Sequence, residues 1–246
     1  MITAEENEIM TKVGPGTPAG ELLRCYWHPV AIAADLTPES PTKFVRILGE
    51  DLVLFQTPTG EVGLLHDRCA HRGASLSYGR VEGRGIACAY HGWLYDTKGN
   101  CLDTPAEPAE SDFCHTVKQK AYPVQKLAGL YWAYLGPQPA PGMPKYDVWA
   151  RTDGWHWLRA LPQLDCDWLP AMENPVDTAH LHILHQELVT DGFKVESTTR
   201  GTIDNLVDYG ITEFAHGFIK RRVFKDGKIE EHPLLFPTVL RQANRT

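Results

Sequence analysis

Long apolar runs are missing from this sequence. No uninterrupted apolar stretch approaches the ~20 residues that span a bilayer, so we expect no membrane segment. The opening residues MITAEENEIMTKV are acidic and lack the apolar core of a secretory signal peptide. Clustered basic residues are scarce, and the net charge of −7 argues against a nucleic-acid partner, because phosphate binding needs grouped Lys and Arg. These absences predict a cytoplasmic protein.

The six cysteines form no CxxC pair. Four of them are dispersed and, without an export signal, are expected to be reduced thiols with no part in metal binding. These four are Cys25, Cys101, Cys114 and Cys166.

Two short hooks combine the remaining cysteines with histidine. The first is Cys69-Ala-His71, and the second, sixteen residues later, is Cys88-Ala-Tyr-His91. Each is followed by a glycine that permits a tight backbone turn. A Cys2His2 set suits tetrahedral zinc or a Rieske [2Fe–2S] cluster, in which two His replace two Cys on one iron. Each hook mixes its ligand types, whereas zinc sites usually separate a Cys pair from a His pair. The pattern favours the Rieske cluster and keeps zinc as the alternative.

Turn residues divide the chain into four parts. The run GPQPAPGMPKYD is dense in Pro and Gly and is the strongest linker signal. Before it, short alternating runs separated by Leu-Gly-Glu-Asp, Pro-Thr-Gly and Lys-Gly-Asn predict β-hairpins. The predicted parts are an N-terminal helical segment at 1–39 (with the helix over 5–28), a β domain at 40–136, a linker at 137–147 and a second, partial domain at 148–246. Within the last part we expect a strand at 155–168, a helix at 169–186 and strands over 193–240.

A second group of metal-binding residue types occupies residues 174–185. Asn174, Asp177, His180 and His185 follow the spacing N-x2-D-x2-H-x4-H. On an ideal helix His180 and His185 point about 140° apart, so helical geometry alone would pair His182 with His185. A π-bulge would bring His180 and His185 together. A solvated helix face is the usual explanation for a lone histidine, but three histidines and an aspartate this close predict a metal site.

The two motifs together resemble those of the Rieske non-haem iron oxygenases, most closely the phthalate and phenoxybenzoate dioxygenase branch. The segments VGPGTPAGELLRCYWHPV, HRGASLSYGR and YHGWLYDTKGNCLDTPAEP carry this resemblance, which covers nearly the whole chain. It implies a mainly β fold with some helix (α+β), in which an all-β Rieske domain precedes the first part of a helix-grip-like catalytic domain. It also implies that Cys69 and Cys88 hold one cluster iron, while His71 and His91 hold the other.

The same resemblance assigns the second constellation. His180 and His185 would bind a mononuclear Fe(II), and Asp177 would bridge an iron-bound histidine to a Rieske histidine of a neighbouring subunit. A later carboxylate completes the iron site in this family. The downstream acids here lie in strand-like runs, so the chain looks like the N-terminal part of a longer subunit and is expected to be inactive by itself. These acids are Asp204, Asp208 and Glu213.

One departure separates this sequence from the respiratory Rieske proteins, which add a disulfide between their two cluster loops. Ala74 and Tyr90 occupy the corresponding positions here. A serine that donates to the cluster in those proteins aligns with Trp93, although Tyr95 keeps the matching tyrosine. Fewer hydrogen bonds to the cluster predict a potential at the low end of the Rieske range.

The function implied is that of the oxygenase component of an aromatic-ring hydroxylating system, as used in aromatic hydrocarbon catabolism. Electrons from NADH would pass through a flavin- and ferredoxin-type reductase to the cluster and then to Fe(II), with O2 and a carboxylated aromatic as substrates. The full-length protein would be a homotrimer. Two alternatives stay open: a Rieske electron carrier without catalysis, and a monooxygenase or O-demethylase of the same fold.

Overall fold

The computed structural model describes residues 2–108, 110–155, 157–160, 164–178, 180 and 205–241. Strands predominate and helices are short, so the fold is mainly β with some helix, as predicted. The helices are Ala4–Thr11 (α1), Pro18–Arg24 (α2), Asp147–Ala150 (α3) and Trp168–Glu173 (α4). In this part of the chain no helix has the length and apolar character needed to cross a membrane. The chain divides into two compact units, Met1–Gln163 and Leu164–Thr246.

Three antiparallel sheets build the first unit. Their strands are Trp27–Ile32 (β1), Thr42–Ile47 (β2), Glu50–Gln56 (β3), Val62–His66 (β4), Arg80–Glu82 (β5), Gly85–Ala87 (β6), Leu94–Tyr95 (β7), Cys101–Asp103 (β8), Ala121–Tyr122 (β9), Val124–Leu127 (β10) and Leu130–Tyr134 (β11). The strand orders are β1-β11-β10, β2-β3-β4-β9 and β5-β6-β7-β8.

The predicted hairpins of this unit are confirmed. Leu48 and Gly49 join β2 to β3 with φ values of 47° and 74°, the left-handed pair that a tight two-residue hairpin requires. Gly99 turns between β7 and β8 with φ 82°. Local turn chemistry therefore determines these connections.

The helix predicted over residues 5–28 is wrong in its extent. A capping box between Thr3 and Glu6 starts α1, which ends at Thr11, and Thr17 caps α2. The next residues form β1, which pairs with β11 about a hundred positions later, from Trp27 opposite Tyr134 to Ile32 opposite Leu130. This long-range pairing overrides the local pattern.

The predicted linker lies within the first unit and packs against its aromatic residues. Trp27, Trp132 and Tyr134 form a small aromatic core, and Ala140 and Met143 pack against it. The indole nitrogen of Trp27 also donates to the carbonyl of Pro141 over 2.9 Å. The Pro- and Gly-rich segment is consequently held in place over much of its length, and the proposed domain boundary there stays a prediction.

The second unit contains α4 and a four-stranded antiparallel sheet. Its strands are Leu206–Phe214 (β12), Gly217–Phe224 (β13), Ile229–Leu235 (β14) and Val239–Leu240 (β15), paired in chain order. The strands predicted for this region are confirmed where the structure describes them. Residues 157–160, predicted as strand, have no regular structure, and α4 ends at Glu173, two residues before Pro175. The remainder of the helix predicted at 169–186 lies largely outside the described residues.

Candidate metal centres

Both hooks fold into the same turn. In the first, the Gly73 amide donates to the Cys69 carbonyl over 2.8 Å; in the second, the Gly92 amide donates to the Cys88 carbonyl over 2.9 Å. Each cysteine amide in turn donates to the carbonyl five residues ahead, over 2.9 Å in both cases. The two glycines have φ values of 69° and 74°, which other residues adopt only with strain. The repeated Cys–His pattern of the sequence therefore corresponds to a repeated backbone conformation.

The sulfur atoms of the hooks lie at the centre of the first unit. Cys69 and Cys88 are each 4% exposed and share a core with Phe55, Leu76 and Ile86. Burial, together with the neighbouring Cys88 thiol, raises the pKa of Cys69. The free thiol is therefore protonated, and metal binding must displace its proton.

Tyr95 is completely buried beside the first hook. Its hydroxyl lies 3.2 Å from the Cys69 sulfur. Burial and this sulfur raise the pKa of Tyr95, so the phenol keeps its proton and remains a donor. When the sulfur is a thiolate, Tyr95 donates to it.

The histidines lie side by side at the surface end of the hooks. The ring centroids of His71 and His91 are 4.6 Å apart. Trp93 stacks on His71 at 4.4 Å with an interplanar angle of 6°, and the exposed Tyr90 lies 3.8 Å from His91. The rings are thus held as a pair by flanking aromatic side chains.

The residues present fit a group with two sulfur and two nitrogen ligands. The Nδ1 atom of His71 is buried and, within the described residues, has no hydrogen-bond partner. Such an atom is costly unless a ligand takes its lone pair. In the same part of the chain no three His, Cys, Asp or Glu side chains are grouped around one ion position. A [2Fe–2S] cluster does not require such a group, because each iron takes only two protein ligands.

Two residues that support the first hook were missed from the sequence. The buried Asp67 carboxylate accepts from the Ser75 hydroxyl and from the amide and hydroxyl of Ser77, at 2.6–3.0 Å. Gln119, fifty residues beyond the hook, contacts its backbone on both sides of Cys69. Asp67 could have been suspected from its place beside the hook, but no local signal marks Gln119.

The other four cysteines form no disulfide, and that they take no part in metal binding stays a prediction. Cys25 and Cys166 are exposed, while Cys101 and Cys114 are buried. Burial, opposed by a hydrogen bond to the Asp103 carbonyl, raises the pKa of Cys101 to about 11. This thiol therefore packs in the core as an uncharged group.

The second constellation is described only in its first half. The Asp177 carboxylate lies 3.2 Å from Nδ1 of His180, and the Asn174 side-chain nitrogen lies 3.4 Å from Nε2 of the same ring. At this distance the Asp177 carboxylate favours a proton on Nδ1, and the Asn174 amide faces the Nε2 atom that a metal would need. This pairing is the one that the bridging role of Asp177 requires on the His180 side.

The structure describes only two of the other predicted residues of this constellation, Asp208 and Glu213. His182, His185 and Asp204 lie outside the described residues. Asp208 and Glu213 lie on β12 and are exposed. The ligand assignments at both sites stay predictions.

A buried cationic cluster lies on one face of β13 and β14. Lys220 pairs across the strands with His232, and Arg222 with Glu230, whose carboxylate it contacts at 2.6 Å. Lys220, Arg222 and His232 are 6–7% exposed. Nε of Arg222 and both ring nitrogens of His232 have no hydrogen-bond partner in the described part of the chain. Burial and the nearby Arg222 lower the pKa of Lys220 and of His232, because positive charge is concentrated there.

Comparison with known proteins agrees with the cluster geometry. Residues 26–124 match the family model of the Rieske [2Fe–2S] domain. The match includes both hooks, Tyr95 and Gln119, and it decides between the Rieske and zinc interpretations.

Similarity to curated proteins extends through the second unit. The chain is 37% identical over 237 residues to the 5,5'-dehydrodivanillate O-demethylase oxygenase subunit of Sphingobium sp., covering 95% of this chain and 54% of the relative. It is 42% identical over 190 residues to the phenoxybenzoate dioxygenase subunit alpha of Ectopseudomonas oleovorans, covering 72% and 46%. The chain thus spans about half the length of these curated relatives.

A solved structure has the same fold. NdmA of Pseudomonas putida CBB5, in complex with caffeine, superposes with a TM-score of 0.65 at 25% identity, covering 89% of this chain and 65% of that one. With a Rieske domain, two mixed Cys–His hooks and relatives that are oxygenase subunits, the chain belongs to the Rieske oxygenase family.

Proposed function

We propose that this chain is the electron-receiving and iron-binding part of an oxygenase component that hydroxylates or demethylates aromatic substrates. The observation that carries the proposal is the pair of identical turns that place two buried sulfurs and two adjacent imidazoles together. An electron carrier would need only this first unit. The similarity to an O-demethylase oxygenase subunit over 95% of the chain favours the oxygenase.

In this proposal the hooks divide their ligands between two irons. Cys69 and Cys88 would hold one iron, and His71 and His91 would hold the other. The cluster supplies one-electron transfer when bound. Tyr95 donates to the Cys69 sulfur and so stabilises the additional negative charge of the reduced state.

His180 and His185 are the proposed ligands of the mononuclear Fe(II), the site at which O2 and substrate would meet. The Asp177 carboxylate, 3.2 Å from Nδ1 of His180, would favour a proton on that atom, and Nε2 would bind the metal in place of its contact with the Asn174 amide. The half-exposed Asp177 carboxylate is also available to a histidine of another subunit. A head-to-tail ring of three chains would bring a Rieske histidine to it.

The electron source follows from the relatives, which are named as oxygenase subunits. Such a subunit receives electrons from a separate reductase or ferredoxin. We propose an NADH-driven, flavin-containing reductase as the donor and the cytoplasm as the location, where the free thiols of this chain would stay reduced.

The proposed substrate class is an aromatic carboxylate. Two of the curated relatives are named for substrates of this class, a phenoxybenzoate and a dehydrodivanillate. In this chain the cationic cluster of Lys220, Arg222 and His232 offers buried donors that a carboxylate would satisfy. The protein would then bind the acid group with this cluster and direct the ring or its ether group toward the iron.

The cluster assignment is tested by a pair of cysteine substitutions. The chain reconstituted with iron and sulfide should be red-brown and, once reduced, should give the rhombic, low-g electron paramagnetic resonance (EPR) signal of a Rieske cluster. Cys88→Ser should abolish both signals, because serine does not replace a cluster thiolate here. Cys101→Ser, at a buried cysteine outside the hooks, is the matched control and should keep both. A Cys88→Ser protein with an intact cluster would contradict the proposal.

A further inference from the structure

Gln119 is a buried residue between the short 3-10 helix Phe113–Thr116 and β9. The residue is 2% exposed. A side-chain amide carries two N–H donors and a carbonyl acceptor, and each needs a partner when it is buried. The hydrogen-bond partners of the Gln119 amide therefore indicate the role of this residue.

Within the described residues, the Gln119 side chain makes three hydrogen bonds, all with backbone groups of the first hook or of the residues just before it. Its Nε2 donates to the carbonyls of His66 over 2.6 Å and of Arg68 over 2.8 Å. Its Oε1 accepts from the amide of Ala70 over 3.0 Å. These three groups lie on both sides of Cys69. One planar side chain therefore fixes the backbone immediately before and after a proposed cluster ligand.

The backbone of Gln119 is tied to the element that follows the second hook. Its amide donates to the Gly99 carbonyl over 2.7 Å, at the turn between β7 and β8. A Cβ atom at Gly99 would lie 2.1 Å from the Gln119 carbonyl oxygen, so only glycine permits this approach. The β7 strand begins at Leu94, directly after the second hook and Trp93. Gln119 thus connects one hook, through its side chain, to the hairpin of the other, through its main chain.

We propose that Gln119 is a positioning residue that holds the two cluster hooks at a fixed separation. In the respiratory Rieske proteins a disulfide joins the two loops, but here Ala74 and Tyr90 stand at those positions and all six cysteines are free. The Gln119 amide would perform this task by hydrogen bonding alone. The inference rests on the proposed cluster ligands and is independent of the reaction at the second site.

The chemistry of an amide suits this position. Glutamate has the same shape, but as a carboxylate it would present only acceptors to the carbonyls of His66 and Arg68. It would also place a negative charge beside a cluster that gains an electron. Leucine would leave all three backbone groups without a partner. Only glutamine offers donors on one side, an acceptor on the other and no charge.

The test compares Gln119→Leu with Gln125→Leu. Gln125 is exposed on β10, so its substitution is the matched control. In the metal-free chain, the Ala70 amide should exchange its hydrogen about tenfold or more faster in Gln119→Leu, because its acceptor is lost. After reconstitution, the same variant should release its cluster about tenfold faster and give a broadened EPR signal, since an unpaired buried group destabilises the hook. Gln125→Leu should match the wild type in all three measurements.

A second variant separates positioning from folding. Gln119→Glu keeps the acceptor for Ala70 but loses both donors, so Ala70 exchange should stay slow while the cluster is released faster and its reduction potential falls. Unchanged cluster release and EPR line shape in both Gln119 variants would overturn the inference. If the wild-type chain takes up no cluster, the ligand proposal fails. The metal-free variants then still test the inference: Ala70 exchange that is fast in Gln119→Leu supports it, and exchange as slow as in the wild type overturns it.

Discussion

Tyr95 controls the environment of one sulfur atom. Its hydroxyl is buried, directed at Cys69 over 3.2 Å, and kept protonated by its surroundings. Trp93, by contrast, stands where the respiratory proteins have a donor serine, and its ring stacks on His71. At the scale of single residues, positions 93 and 95 therefore supply the cluster with one hydroxyl donor, Tyr95, where the respiratory proteins have two.

Removal of that donor should lower the reduction potential. In Tyr95→Phe the reduced cluster loses a hydrogen bond that strengthens as the sulfur becomes more negative. A tenfold weaker stabilisation of the reduced form corresponds to about 59 mV for one electron, and we expect a decrease of this order. Protein-film voltammetry would measure it.

The control for this substitution is Tyr131→Phe. Tyr131 is buried on β11 and makes none of the contacts of the hooks described above. The cluster of Tyr131→Phe should have the same reduction potential as that of the wild type. An equal shift in both variants would mean that the phenol acts through general packing and not through the Cys69 sulfur.

The elements that carry the hooks explain what could be predicted from the sequence. The two Cys–His hooks stand out in the sequence because residue type and spacing are local, although the role of their residues as cluster ligands stays a prediction. The Gly49 and Gly99 hairpins could be predicted because turn residues act locally. The β1 strand was missed because its partner, β11, lies about a hundred residues away. Gln119 was missed for the same reason, since its contacts are with residues 66–70. Long-range contacts leave no periodic signal in a single sequence.

Neighbouring arginines on β13 lie on opposite faces of the sheet of the second unit: Arg222 is buried and Arg221 is partly exposed. This pair permits a controlled test of the proposed substrate class. Benzoate should bind the chain, whereas benzamide, of the same shape but without charge, should bind at least about tenfold more weakly. Arg222→Gln should reduce benzoate affinity by about tenfold or more, because a charge-assisted hydrogen bond is worth about 1.5–3 kcal/mol. Isothermal titration calorimetry would provide these affinities.

Two further variants make this test specific. Arg221, the neighbour of Arg222 on β13, has a side chain that is 42% exposed, and Arg221→Gln should leave benzoate binding unchanged. Lys220→Gln removes a buried charge while keeping a donor for the Pro175 carbonyl, and should weaken binding without unfolding the sheet. Equal affinity for benzoate and benzamide would exclude the cluster as a carboxylate site.

At the scale of the whole molecule, the last residues of the first unit differ greatly in packing. The Pro- and Gly-rich segment is fixed to the Trp27 aromatic core through Pro141 and Met143. The residues that follow it are more open: Trp155 is 96% exposed and Trp157 is 81% exposed. Local opening should therefore be easier after residue 150 than within the predicted linker.

Limited trypsin digestion should reveal this difference. We expect first cleavage after Arg151 or Arg159, in the exposed stretch, ahead of cleavage after Lys145, which lies between the packed residues Met143 and Trp149. The N-terminal fragment should keep its cluster, because both hooks, Tyr95 and Gln119 lie before the cut. Mass spectrometry of the early fragments would identify the sites, and first cleavage after Lys145 would contradict the packing argument.

The parallel stack of Trp93 on His71 has an optical consequence. An indole held at 4.4 Å from an imidazole that binds iron would transfer its excitation to the metal, so its emission would be quenched in the loaded protein and recovered in the metal-free one. Trp155 and Trp157, exposed in the first unit, should emit at longer wavelength because water surrounds them. Trp93 is 7% exposed and should emit at shorter wavelength together with the buried Trp27 and Trp132, so a mutant such as Trp93→Phe is needed to assign the part of the blue emission that changes when the protein takes up its cluster.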